Sequence, residues 1–126
     1  MSSAYVDTSC IVAAAFGEAT AVRVTKRLAR FDRVLSSPLL EAELLSALMR
    51  EGRPPTDAYS SAIELVIVNR PLSTEIGRVL EAGYLRGADC WHLATALYVA
   101  ADARGLTFVT LDSQQRKVAT ALGFKT

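Results

Sequence analysis

The feature of this sequence that most constrains its fold is a repeated alternation of short apolar segments with longer helical ones. Strands are predicted at residues 4–6, 33–35 and 106–111, and each is followed by a segment with helical spacing of its apolar residues. Such alternation is typical of a parallel sheet with helices on both faces. We therefore predict an α/β protein in which residues 1–126 form one domain.

Seven helical segments can be read from the pattern of apolar residues, of caps and of Gly or Pro stops. They lie at residues 10–16, 18–31, 38–50, 56–67, 73–83, 89–104 and 112–122. The segment 89–104 is apolar nearly all round, which predicts a helix buried against the sheet. Residues 70–72 could form a short edge strand at best, because Pro71 removes a ladder donor. A final short strand is predicted at residues 123–124.

Composition excludes several classes of protein. Hydrophobic residues make up 51% of the 126 positions, which rules out a disordered chain. The longest apolar run, residues 10–16, is far shorter than the roughly 18 residues of a membrane helix. No basic region of a signal peptide precedes the first strand, and two cysteines make neither a disulfide framework nor a zinc site. We therefore expect a cytoplasmic protein with no membrane contact.

The net charge of +1 is too small for a protein that holds nucleic acid by bulk charge alone. Any contact with nucleic acid must come from a local patch. The best candidate is the set of cations Arg23, Lys26, Arg27 and Arg30, which recur at helical spacing. This face could bind an RNA backbone, or it could be an ordinary solvated helix face.

Four acidic residues occupy unusual places. Asp7 directly follows the first strand and Asp112 follows the strand at 106–111, whereas Glu43 and Asp89 lie within apolar helical segments. Ligands of parallel sheets bind where strands end, so the two strand-end acids are candidates for a site. Each aspartate could also be a helix cap, and Gln115 would complete a capping box with Asp112.

Taken together, the four acids are harder to explain as caps. Clustered carboxylates repel one another unless a cation joins them. Oxygen ligands without His or Cys favour Mg²⁺ or Mn²⁺ over zinc. A carboxylate-held Mg²⁺ can activate water and stabilise charge at a phosphate, which predicts phosphodiester hydrolysis.

Five segments, in their order and spacing, resemble the PIN-domain ribonucleases, and the compact length resembles the VapC-type toxins of toxin–antitoxin pairs. The segments are Val6-Asp7-Thr8-Ser9, Ala42-Glu43-Leu44, Ala88-Asp89-Cys90-Trp91-His92-Leu93-Ala94, Phe108-Val109-Thr110-Leu111-Asp112 and Ala121-Leu122-Gly123-Phe124. The resemblance implies a three-layer α/β/α sandwich with a short parallel sheet. It also implies metal-dependent endoribonuclease activity, frequent homodimers and inhibition by a small antitoxin. Residues 53–80 carry no motif that aligns with the family.

The resemblance places the family's acidic quartet on Asp7, Glu43, Asp89 and Asp112. The three aspartates would hold Mg²⁺ or Mn²⁺ directly or through water. Glu43 would orient or deprotonate the attacking water, or help to hold a second metal. Hydroxyl groups that could support these ligands through hydrogen bonds belong to Thr8, Ser9 and Thr110, each of which could equally be a local cap.

The choice between Glu41 and Glu43 is not settled by the helical pattern. On a helical wheel Glu41 falls inside the apolar arc and Glu43 at its border. The resemblance selects Glu43, and a site acid should lie where the helix meets a cleft rather than beneath it. The only histidine, His92, is expected to be a packed helix residue. Cys10 and Cys90 are expected to be free buried thiols.

Two other functions are alternatives to that of an RNA-cleaving toxin. One is a catalytically silent PIN-like module that binds RNA or protein, which the presence of all four acids disfavours. The other is a phosphotransfer domain on a similar sheet, such as a phosphatase. A phosphatase of this type needs a second Asp two residues after Asp7, and that position holds Ser9. Two apolar segments offer more apolar surface than one small sheet needs, which predicts a homodimer and a groove for the antitoxin. These segments are residues 10–16 and the cluster of Leu44, Leu45, Leu48 and Met49.

Overall fold

A computed structural model describes residues 1–126 and has four strands and six α-helices. In chain order the elements are β1 (Ser3–Val6), α1 (Thr8–Ala15), α2 (Ala19–Leu28), β2 (Arg33–Ser36), α3 (Leu39–Arg50), β3 (Glu64–Leu65), α4 (Ser73–Ala82), α5 (Gly87–Val99), β4 (Thr107–Val109) and α6 (Ser113–Ala121). A short 3₁₀ turn, Ala103–Gly105, separates α5 from β4. None of the helices combines the length and the apolar character needed to cross a lipid bilayer.

The four strands form one parallel sheet in the order β3-β2-β1-β4. At the centre of the sheet Tyr5 lies opposite Leu35 on one side and Phe108 on the other. The chain runs outward from β1 to β3 and then returns to the other side of β1. The strand order therefore reverses between β1 and β4, and their carboxyl ends flank the crevice where such sheets bind ligands.

Helices cover both faces of the sheet, because successive side chains of a strand point in opposite directions. Tyr5 and Phe108 point to one face, where they pack with apolar residues of α4, α5 and α6. Ala4 and Val6 point to the other face, where they pack with residues of α1, α2 and α3. The α/β fold and its three-layer α/β/α arrangement, predicted from the sequence, are confirmed.

The predicted helix at residues 56–67 is wrong. Its first part forms turns, and Glu64–Leu65 instead extends the sheet as β3. The free edge of β2 holds this segment, because Arg33 makes two 2.9 Å hydrogen bonds to Glu64 and the Val66 amide donates to Ser36. Pairing with an open sheet edge has overridden a weak helical pattern.

Three further boundaries differ from the prediction. Residues 70–72 form no strand, since Arg70 pairs with Glu75 at the start of α4. The long helix ends at Val99 rather than at residue 104, because Asp102 caps the separate 3₁₀ turn. At the C-terminus only Lys125 bridges to the sheet.

Candidate active site

Two of the four predicted site acids lie at the ends of β1 and β4. The Asp7 carboxylate accepts a hydrogen bond from the Ser9 amide and caps α1, and Asp112 accepts from the Gln115 amide and caps α6. Both residues are therefore helix caps, as their local sequence predicted, and both stand at the crevice between β1 and β4. Capping and a position at the site are not exclusive roles, because each carboxylate uses only part of its acceptor capacity on the helix.

The other two acids come from helices that flank the crevice. Glu43 lies in the second turn of α3 and is half-buried. Asp89 lies in the first turn of α5, where Arg86 occupies the capping position and makes no side-chain cap. The expectation that Asp89 caps α5 is therefore wrong.

Electrostatics place all four acids in one neighbourhood. The pKa of Asp89 is raised, first by partial burial and then by the negative charges of Asp7, Asp112 and Glu43. A carboxylate whose pKa is raised by three others resists ionisation unless positive charge is added nearby. Asp89 thus lies close enough to each of the other three predicted site acids to be affected by its charge.

His92 is a packed residue of α5, as expected, and the structure also brings its ring into contact with the site. Its ring is fully buried, and Nε2 lies 3.0 Å from Glu43 Oε1 and 3.0 Å from Thr8 Oγ1. Its Nδ1 lies 2.8 Å from the Tyr5 hydroxyl. Burial raises the pKa of Tyr5, so this phenol stays protonated. Because an ionised carboxylate can only accept, the 3.0 Å contact with Glu43 places a ring proton of His92 on Nε2.

These contacts fix the side chain of Glu43. Besides the contact with His92, Oε1 of Glu43 accepts a 2.8 Å hydrogen bond from the Thr8 hydroxyl. The pKa of Glu43 is lowered, chiefly by the hydrogen bond from His92 and also by that from Thr8, while burial opposes the shift. Glu43 is thus an ionised carboxylate with one oxygen held by the protein.

A second set of hydrogen bonds ties together the ends of β1 and β4. The Thr110 hydroxyl lies 3.3 Å from Asp7 Oδ2 and 2.7 Å from the side-chain oxygen of Gln115. Gln115 is fully buried, and its amide nitrogen lies 3.4 Å from Asp7 Oδ1 and 3.2 Å from the backbone oxygen of Asp89. Its side chain does not complete the predicted capping box, because it points to Asp7 instead. Ser9 joins this network through the amide of Leu111.

The donor set fits a hard divalent cation in its chemistry. All four acids offer carboxylate oxygens. The raised pKa of Asp89 indicates that the negative charge around it is not balanced by nearby positive charge. No three side chains of the types His, Cys, Asp and Glu lie close enough together to ligate one ion directly. Mg²⁺ needs no such cage, because it keeps several waters and binds through one or two carboxylates.

Two separate concavities border the acids. A cleft of about 330 Å³ contains Asp89 and Asp112, and a second one of about 440 Å³ contains Glu43 and Arg50. A third groove, of about 530 Å³, lies beside Glu41 and contains no buried carboxylate. Glu41 is exposed, so the wheel that placed it in the apolar arc was wrong.

Neither cysteine offers a reactive thiolate. Burial raises the pKa of Cys10 to about 12 and also raises that of Cys90. Both thiols are free and buried, as expected.

The basic face lies on the side of α2 away from the sheet. Arg23, Lys26 and Arg30 are exposed and Arg27 is half-buried. None of the four takes part in a salt bridge, and none contacts a site acid.

Comparison with known proteins gives one match. Residues 4–121 match the family described as PIN domain. No curated protein and no solved structure matches the chain.

We expect Asp89→Asn to stabilise the metal-free protein at pH 7. The raised pKa means that ionised Asp89 disfavours the folded state, and this penalty disappears as the pH falls to the ordinary carboxyl range. In EDTA the gain in unfolding free energy should be roughly 0.5–1 kcal/mol at pH 7, because solvent screens a partly exposed charge. It should vanish near pH 3.

Urea unfolding at both pH values measures the effect. Glu81→Gln is the control, since Glu81 is exposed on α4 and forms no salt bridge. An Asn variant less stable than the native protein at pH 7 would contradict the repulsion among the four acids.

Proposed function

This chain belongs to the PIN domain family, whose members are generally nucleases and typically use divalent metal ions, and we propose that it is a metal-dependent endoribonuclease. We further propose that it acts in the cytoplasm as the VapC-type toxin of a toxin–antitoxin pair. The observation that carries the proposed activity is that Asp7, Asp112 and Glu43 all lie near enough to Asp89 to raise its pKa, beside the point where strand order reverses.

In this proposal Asp7, Asp89 and Asp112 hold Mg²⁺ or Mn²⁺, directly or through water. Their oxygen chemistry and mutual repulsion support this assignment. When bound, such an ion lowers the pKa of water and stabilises negative charge on a phosphate. The Ser9 amide and the buried Gln115 donate to Asp7 and orient it, and the Thr110 hydroxyl holds Gln115 in place.

Glu43 is proposed to orient the attacking water or to accept its proton. Its lowered pKa supports this role, because only an ionised carboxylate can accept a proton. Thr8 and His92 hold Oε1, so the other oxygen is the one left to face a water molecule. His92 is proposed as a positioning residue, since its ring is buried and reaches the site through Glu43.

RNA would bind across the crevice, and the basic face of α2 is proposed to contact its phosphates. The absence of salt bridges leaves Arg23, Lys26, Arg27 and Arg30 available for such contacts.

The metal requirement is the first test of the activity. Purified protein should cleave single-stranded RNA with Mg²⁺ or Mn²⁺, lose this activity in EDTA and recover it when Mn²⁺ is restored. Asp7→Asn protein, prepared in parallel, controls for a contaminating nuclease. Cleavage that continues in chelator would contradict the proposed mechanism. Binding without cleavage under every metal condition would favour the alternative, a catalytically silent RNA-binding module.

The second test separates the two glutamates of α3. Glu43→Gln should abolish cleavage with little change in unfolding free energy, because the amide oxygen can still accept from Thr8 and His92. Glu41→Gln is the matched control, being an exposed neighbour on the same helix. Its rate should stay within about tenfold of the native rate, or roughly 1.4 kcal/mol of barrier. The reverse pattern would show that Glu41 is the site acid.

A cognate antitoxin and a homodimer are proposed as partners. The sequence predicted a docking surface from residues that mostly pack in the core, such as Leu44 and Leu48. Of that set, Met49 is widely exposed. Support now comes from a groove of about 360 Å³ between α1, α2 and residues 58–63, where nine of ten lining residues are hydrophobic. Such a groove suits the apolar face of a helix.

We expect Ala29→Arg to block antitoxin binding, because Ala29 is exposed at this groove and a long cation would fill it. Calorimetry with a candidate antitoxin measures binding, and RNA cleavage should be unchanged. Unaltered binding would place the antitoxin elsewhere.

Light scattering at micromolar concentration tests the homodimer, which a monomeric mass would exclude.

A further inference from the structure

An exposed aromatic ring borders the acid site. Tyr84 lies in the connection between α4 and α5, and it is 77% exposed. It lines the same cleft of about 330 Å³ as Asp89 and Asp112, together with Arg86. The sequence does not reveal this position, because the aromatic residues are scattered along the chain. Single exposed rings are common on protein surfaces, but this one shares a cleft with two candidate site acids and a cation, which is where a substrate would bind.

The backbone that carries Tyr84 is held on both sides. Leu85 is buried in the core, and a Cβ atom on Gly83 would lie only 2.9 Å from Val118 of α6, so the chain passes very close to that helix. The side chain of Gln114 also donates a 3.4 Å hydrogen bond to the Tyr84 carbonyl. Tyr84 is therefore presented from a fixed segment and would lose little backbone freedom when a ligand binds.

Charge in the cleft distinguishes between parts of a nucleotide. In the proposed function Asp89 and Asp112 help to hold the metal that faces the scissile phosphate, so the uncharged base is the part of the nucleotide left for the ring. A tyrosine face stacks on any base, since every base has a π-face. Arg86, exposed in the same cleft, supplies a cation for an adjoining phosphate.

We propose that Tyr84 is a stacking platform for one unpaired nucleobase of the RNA substrate, with Arg86 contacting the neighbouring phosphate. This inference rests on the proposed ribonuclease function and adds which side chains contact a base and a phosphate of the single-stranded substrate. In a duplex the base is already stacked on its neighbours and is not available to the ring.

The first test compares Tyr84→Ala with Tyr84→Phe on a short single-stranded oligoribonucleotide that the native protein cleaves. Loss of a stacked base should raise KM roughly 5- to 100-fold for the Ala variant, and the Phe variant should stay within about twofold. Ile67→Ala is the matched control, because it removes an apolar side chain of similar exposure, 73%, from outside the cleft. Its KM should not change.

The second test identifies the base that contacts the ring. Abasic nucleotides are placed one at a time along the same oligonucleotide, and binding to Asp7→Asn protein is measured by fluorescence anisotropy. One position near the cleaved bond should lose affinity with Tyr84 present, and the Tyr84→Ala, Asp7→Asn double variant should show no loss at that position. This pairing of one ring with one base is a response that a purely structural role would not give.

The outcomes separate this inference from the function on which it rests. Native protein that cleaves RNA with an unchanged KM for Tyr84→Ala would overturn the platform alone. Protein that never cleaves RNA, but binds it with the expected dependence on Tyr84 and one base, would overturn the activity and support the platform. Absence of both cleavage and binding would overturn both.

Discussion

The position of β1 between β2 and β4 is the constraint on which the rest of this structure depends. Its residues Ala4, Tyr5 and Val6 are completely buried, and the strand is hydrogen-bonded on both edges. Both helical layers pack against it, with Tyr5 facing one layer and its two neighbours facing the other. Because β1 cannot shift without breaking both layers, the residue that follows it, Asp7, has a fixed place at the crevice.

Buried polar groups connect this core to the site. No buried side-chain nitrogen or oxygen lacks a hydrogen-bond partner. Tyr5, in the centre of the sheet, reaches Glu43 on α3 through the ring of His92 on α5. Removing one member would leave the next buried and unsatisfied, which costs more than the bond itself contributes. Stability and the orientation of Glu43 therefore depend on the same groups.

The sequence predicts those parts of the molecule that depend on local pattern. Three strands, most of the helices and the caps at Asp7 and Asp112 follow from periodicity and side-chain chemistry. The helix predicted at residues 56–67 is wrong because the free edge of β2 pairs with Glu64–Leu65, an interaction that local pattern does not reveal. His92 and Gln115 were not recognised as part of the site because their partners, Tyr5 and Asp7, lie 87 and 108 positions away. Only the folded chain brings such groups together.

The hydroxyl of Thr110 determines which hydrogen-bond donors hold the carboxylate of Asp7. It lies within reach of two acceptors, Gln115 at 2.7 Å and Asp7 Oδ2 at 3.3 Å, but it has a single hydrogen to give. The shorter contact takes that hydrogen, so the Ser9 amide, 3.1 Å away, is the donor that holds Oδ2. The other oxygen, Oδ1, accepts from the side-chain nitrogen of Gln115. Because each carboxylate oxygen has two lone pairs, both oxygens of Asp7 keep one that can face an electrophile at the end of β1.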